Sequence, residues 1–192
     1  MTTILLSYNE VQSLARKTAC GAGLPHGVAD DIGHAAVWLS ARGVDAIRIV
    51  VEALGDHACG AQAVLRDQAA VDVLCCGESR QVSLHDREHG LLLIGLAGAA
   101  ATNSGLNLAA RLANGNVLPL AQVSDASDLI RDLKALSLLP DDGEPFRPGS
   151  PRPAATDTAA YAAALGLAAR TYVPASDFSR ARGAGAGTTD ND

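Results

Sequence analysis

Arg180 and Arg182, the glycines Gly183, Gly185 and Gly187, and the acids Asp190 and Asp192 crowd into the last residues of this chain. Two guanidinium forks can clamp a carboxylate or phosphate. Backbone without side chains can lie against a ligand or another subunit. Asp190 or Asp192 can act as acid, base or metal ligand. Chain ends of this composition are also commonly disordered, so a solvated tail is the competing reading. A second candidate ends the run Gly95-Leu-Ala-Gly-Ala-Ala-Ala-Thr-Asn-Ser-Gly105. With Leu91–Leu96 taken as a parallel strand, this is the loop at its carboxyl end, where open α/β sheets bind ligands. Thr102, Asn103 and Ser104 would supply hydrogen bonds, and a helix starting at Ser104 would favour an anion. Neither GxGxxG nor a P-loop lysine is present, and 97–113 reads equally as one long buried helix packed through small residues.

Three further sets are weaker. His26, Asp30, His34 and Trp38 repeat every four residues and so share a helix face. The eight residues from His26 to His34 rise about 12 Å, so only His26–Asp30 or Asp30–His34 could chelate, and a polar helix face explains them as well. His85 and His89, with Asp86 and Glu88, suit a metal or a proton shuttle, or simply a solvated hairpin tip. His57 and Cys59 lack the partners that would complete a zinc set. No metal site is expected, no cofactor is identified, and without a G-x-S-x-G elbow there is no basis for a hydrolase.

The elements that must position these groups begin with helices. Ser7 and Glu10 form a capping box, and Val11, Leu14, Ala15 and Thr18 then share a face. Gly21 and Gly23 stop that helix. Pro25 opens a second, faced by Val28, Ala29, Ile32, Ala36 and Leu39. Asp45 caps a third, with Ile47, Val50, Val51 and Leu54. From about residue 61 the expected order is a short helix over 61–68, strands at 70–75, 81–85 and 91–96, and a helix over 104–113. A strand at 117–123 and a helix carrying Leu129, Ile130, Leu133 and Leu136 follow. Strand–helix–strand order suggests a parallel pair joined by a crossover. Five of the eight prolines fall between Pro140 and Pro153, a long loop, and an alanine-rich helix follows from Thr156 to about Thr171.

The 192 residues are 48% hydrophobic but only 3% aromatic, which calls for closely spaced elements with thin side-chain layers. Net charge is −6 with no basic stripe, which argues against nucleic-acid binding. Cys20, Cys59, Cys75 and Cys76 contain no CxxC and suit a reducing compartment, with Cys75 and Cys76 read as strand residues. The N-terminus lacks a signal-peptide pattern, and the longest apolar run is too short for a membrane helix. A soluble cytoplasmic protein with no membrane partner is expected.

The start Leu6-Ser-x-Asn9-Glu10, Lys17, Gly21-Ala-Gly-Leu24, Gly27-x-Ala29, Gly33-x-Ala35 and Trp38-Leu39 resembles the N-terminal signature of bacterial domain-of-unknown-function family 3726. The tail Thr171-Tyr-Val-Pro-Ala-Ser176, Ser179-Arg180 and Gly183-Ala-Gly-Ala-Gly187-x-x-Asp190-Asn-Asp192 resembles its C-terminal signature. An aromatic is usual in that family where His26 stands, which weakens a metal role there. The resemblance implies that the tail belongs to the domain, and it carries over no activity and no catalytic residue.

The reading is one α/β or α+β domain over 1–192. Its parts are a helical layer (1–60), an α/β part with a small mixed sheet (61–140), the proline-rich loop (140–153), and a helix with a folded-back glycine-rich tail (154–192). Two functions stay open, and whether the chain is an enzyme is undecided. One is a protein binding a small anionic metabolite between the 95–105 loop and the tail, through Thr102, Asn103, Ser104, Arg180, Arg182, Gly183, Gly185 and Asp190. The other is a non-catalytic subunit or scaffold whose tail straps an oligomeric interface. The alanine-rich, flat helical faces are compatible with a homodimer.

Overall fold

The structure, a computed structural model, describes residues 2–55, 57–83, 90–126, 133–140 and 152–172. Its elements run β1 (Thr3–Leu6), α1 (Tyr8–Gly21), α2 (His26–Ser40), α3 (Ala46–Leu54), α4 (His57–Cys75), β2 (Gln81–Ser83), α5 (Gly90–Ser104), β3 (Leu108–Leu112), β4 (Val117–Pro119), β5 (Leu133–Leu138), β6 (Ala154–Asp157) and α6 (Thr158–Ala168).

Local chemistry sets the first helices. The Glu10 backbone N–H donates to Ser7 Oγ, and Glu10 Oε2 accepts from the Ser7 backbone at 2.7 Å, so the capping box closes. Val11, Leu14, Ala15, Thr18 and Ala19 turn inward. Pro25 stands at the start of α2. Asp45 accepts from Arg48 N at the start of α3, from the Thr156 hydroxyl at 2.6 Å and from Asp157 N at 2.9 Å. One carboxylate thus caps a helix and anchors β6. That strand pairs antiparallel with β1 in a two-stranded sheet, Thr3 opposite Asp157 and Leu6 opposite Ala154. Sequence-distant ends of the described chain are thereby joined, and α6 lies on α1.

The second half departs from expectation, and the class is α+β. Residues 70–75 are the end of α4, so Cys75 closes a helix and Cys76 follows in a turn. Residues 91–96, expected as a strand, lie in α5. From Leu91 to Ala99 every residue of this helix is buried, against α2, α3 and α4 among others. An element covered all round shows no amphipathic period, so a short apolar run cannot declare itself helix or strand. The expected helix over 104–113 contains strand β3 instead. Leu133 and Leu136, expected on a helix, lie in β5, while Leu129 and Ile130 fall outside the described residues. Residues 117–123 hold the short β4 and a single 3-10 turn at Leu120–Gln122.

The sheet order is β2-β5-β3-β4, with every pairing among the described residues antiparallel. The parallel crossover and the mixed sheet are therefore corrected. β5 sits between β2 and β3, placing Leu136 opposite both Val82 and Ala110.

Packing is close, as the low aromatic content implies. A methyl group at Gly98 would overlap the Trp38 ring, and one at Gly21 would overlap the Leu167 carbonyl. These glycines let α5 meet α2, and α1 meet α6, near backbone contact.

Candidate functional site

The described surface offers a groove of about 180 Å³ between α1 and α6. Glu10, Ser13, Leu14 and Lys17 line it from α1 at helical spacing, and Tyr161, Leu165 and Ala168 line it from α6, with Leu6 at the end of β1. The floor is apolar. At the rim stand one acid, Glu10, and one base, Lys17. Glu10 serves the capping box, and the hydrogen bonds from Ser7 hold its carboxyl below the usual carboxylate range. The Lys17 ammonium lies 5.9 Å from the centre of the Tyr172 ring. Leu165 is 45% exposed and Tyr172 63% exposed, high values for large apolar side chains beside a groove. The chain continues from Tyr172 into residues 173–192.

Two cross-links join α1 and α2 beside this region. Arg16 Nε pairs with Asp30 at 2.5 Å. One helical turn on, Cys20 Sγ lies 3.5 Å from His26 Nδ1. A thiol and an imidazole at this distance can exchange a proton. Along the four-residue ridge Asp30 is paired with Arg16, His26 lies against Cys20, His34 is exposed, and Trp38 is buried. Among the described residues no group of three or more His, Cys, Asp or Glu side chains could hold a metal ion. Cys75 is a poorer nucleophile, because burial first, then Asp72 and Cys76, push its thiol up. Cys59 is exposed on α4.

Thr102, Asn103 and Ser104 close α5 rather than preceding a helix. The Thr102 hydroxyl donates to the Gly98 carbonyl at 2.8 Å, and the three residues are exposed. A helix C-terminus carries the negative end of the dipole, so the helix start invoked for an anion at Ser104 is corrected. Arg180, Arg182, Gly183, Gly185, Asp190 and Asp192 lie outside the described residues, as do His85, Asp86, Glu88 and His89.

Two features had no separate signal in the sequence. The groove pairs faces of helices far apart in the chain; the spacing of Tyr161, Leu165 and Ala168 was the available hint. The other is Arg42. Its guanidinium stacks 3.6 Å from the Trp38 ring centre, and the residue is 8% exposed.

Among the described residues no helix is long and apolar enough to cross a membrane. No curated protein and no solved structure matches the sequence. Residues 6–83 match the family model described as Protein of unknown function (DUF3726). That stretch runs from the end of β1 through β2 and includes Lys17, Cys20, His26 and Arg42. Over residues 6–83 this chain is similar to the DUF3726 family.

Proposed function

We propose that this chain works as one domain in the bacterial cytoplasm, as a non-catalytic subunit whose residues 173–192 strap a second copy of the same chain. The supporting observation is the α1–α6 groove. Its floor is apolar, Leu165 in its lining is exposed, and the strap would begin next to the exposed Tyr172, which lies beside Lys17. Exposed apolar side chains beside an apolar groove support a docking role for this face. Twenty residues reach roughly 65 Å when extended, enough to cross to a neighbour. Val173 and Phe178 supply apolar side chains for the groove, and Asp177 can approach Lys17.

A second reading, a small anionic ligand, is favoured by Lys17 at the rim. Arg180, Arg182, Gly183, Gly185 and Asp190 would then close over the ligand. Thr102, Asn103 and Ser104 would contribute hydroxyl and amide hydrogen bonds without help from a helix dipole.

The test is the solution mass, by light scattering on a sizing column, of the full chain and of a version ending at Tyr172. A dimer that becomes a monomer on truncation is the expected result. An unchanged mass overturns the strap. Arg180→Ala with Arg182→Ala then separates the readings: loss of anion-induced stabilisation with unchanged mass supports the ligand.

A further inference from the structure

Among the described residues two buried side-chain atoms have no hydrogen-bond partner, Gln68 Oε1 and Arg42 Nε, and only the second belongs to a charged group. Arg42 follows α2, and its guanidinium carbon lies over the Trp38 ring, 3.6 Å from the ring centre. Nη1 donates to the Trp38 carbonyl at 3.0 Å. Nε is buried and has no acceptor. No carboxylate pairs with Arg42 among the described residues. Burial pushes its pKa down to about 10, so it is still cationic at neutral pH. A buried cation without an acid partner is strongly unfavourable. Replacing it with a well-packed apolar side chain would remove that cost.

The geometry defines which edge of the fork remains. With Nη1 bonded to the Trp38 carbonyl, that edge is the one formed by Nε and Nη2. That edge takes two oxygens of a carboxylate or phosphate side by side. Stacking on Trp38 fixes the plane of the fork, so little freedom is lost on binding. A second cation stands nearby: Arg152 Nη1 lies against Gly43, the residue after Arg42, and Arg152 is bonded to Asp125 at 3.5 Å.

We infer that Arg42 is the core of an oxyanion-binding site, which takes a small carboxylate or phosphate on its Nε–Nη2 edge. The inference is independent of the strap, since it uses neither the α1–α6 groove nor residues 173–192. Trp38 is the only tryptophan in the chain, so its emission reports directly on the guanidinium stacked over it.

The experiment titrates the full chain with acetate, and separately with inorganic phosphate, replacing chloride at constant ionic strength. Trp38 fluorescence and the melting temperature are both followed. The expected result is a saturable emission change and a melting temperature that climbs with anion concentration, as binding to the native state requires. Arg42→Met should fold at least as stably as the parent in chloride and lose both responses. Arg42→Lys keeps the charge without the fork and should bind several-fold more weakly. Excluded salts stabilise proteins generally, so an equal rise in melting temperature in the parent and in Arg42→Met overturns the site. Absence of any saturable emission change in the parent overturns it too. A response to acetate alone or to phosphate alone upholds the site and identifies which oxyanion it prefers.

Discussion

Helices α1 and α5 are almost the same length, 14 and 15 residues, yet they are specified in opposite ways. α1 declares itself locally. Ser7 and Glu10 close its first turn, Val11, Leu14, Ala15 and Thr18 mark one face, and the backbone at Gly23, just beyond its end, has φ +92°. α5 has none of this. Its interior is apolar on every side, with no acid in its first turn and no base in its last. It is a helix because its neighbours surround it, and residues such as Leu92, Leu93 and Ile94 each contribute about 1.5–3 kcal/mol by burial. A helix at the edge of a core carries its own boundary signals. A helix at the centre takes them from its surroundings.

The sharpest way to break that contrast is a single methyl group. Gly98→Ala should place a methyl in the Trp38 ring and cost about 1–3 kcal/mol. For a chain of this size that is roughly 2–12 °C of melting temperature. Gly166, within α6, has open space around it. Gly166→Ala should raise stability by about 0.5–1 kcal/mol. Equal effects at the two sites, read by thermal melts, would mean α5 is not closely packed on α2.

A smaller effect is expected at Asp45, where local capping and long-range anchoring share a carboxylate. Asp45→Ala should cost about 2 kcal/mol in urea unfolding, from the helix cap and the lost bonds to Thr156 and Asp157. Ser7→Ala, a local cap alone, should cost about 1 kcal/mol. If Asp45→Ala cost no more than Ser7→Ala, the link from α3 to β6 would contribute nothing.

The smallest effect belongs to Glu10, whose folded-state pKa lies below its ordinary value of 4.5 because of the hydrogen bonds from Ser7. A carboxylate with a depressed pKa stabilises the fold above that ordinary value and loses the contribution as pH falls through the folded value. The parent should therefore lose stability with acid slightly more steeply than Glu10→Gln below about pH 4.5. Melts at stepped pH check the slope, and a parallel pair of curves would show the capping box to be electrostatically idle.

Legibility followed the same division. The capping box at Ser7, the start of α2 after Pro25, the cap at Asp45 and most of α6 could be read because each rests on neighbours in sequence. The strand readings at 70–75 and 91–96 went wrong because apolar runs lack a period. The helix expected at 104–113 went wrong because Leu106, Ala109, Ala110 and Ala113 fit a helical face by spacing alone, while pairing with β4 and β5 makes 108–112 a strand. The anion argument at Thr102–Ser104 fell with it, since exchanging a helix start for a helix end reverses the dipole. Lys17 was visible only as a member of a family pattern, Trp38 also as the end of the four-residue ridge from His26, and Arg42 was not singled out.

By itself, then, the sequence determined the amphipathic helices α1 to α3, the thin, close-packed layers implied by scarce aromatics and abundant alanine, and the acidic surface. These follow from residue types and short spacings. Only the tertiary structure decided that α5 is a central helix, that the described strands pair antiparallel, and that α1 and α6 form a groove. It alone places Arg42 over Trp38 with a buried Nε that has no hydrogen-bond partner. Each of these depends on which distant residues exclude water from which others, and no local pattern carries that information.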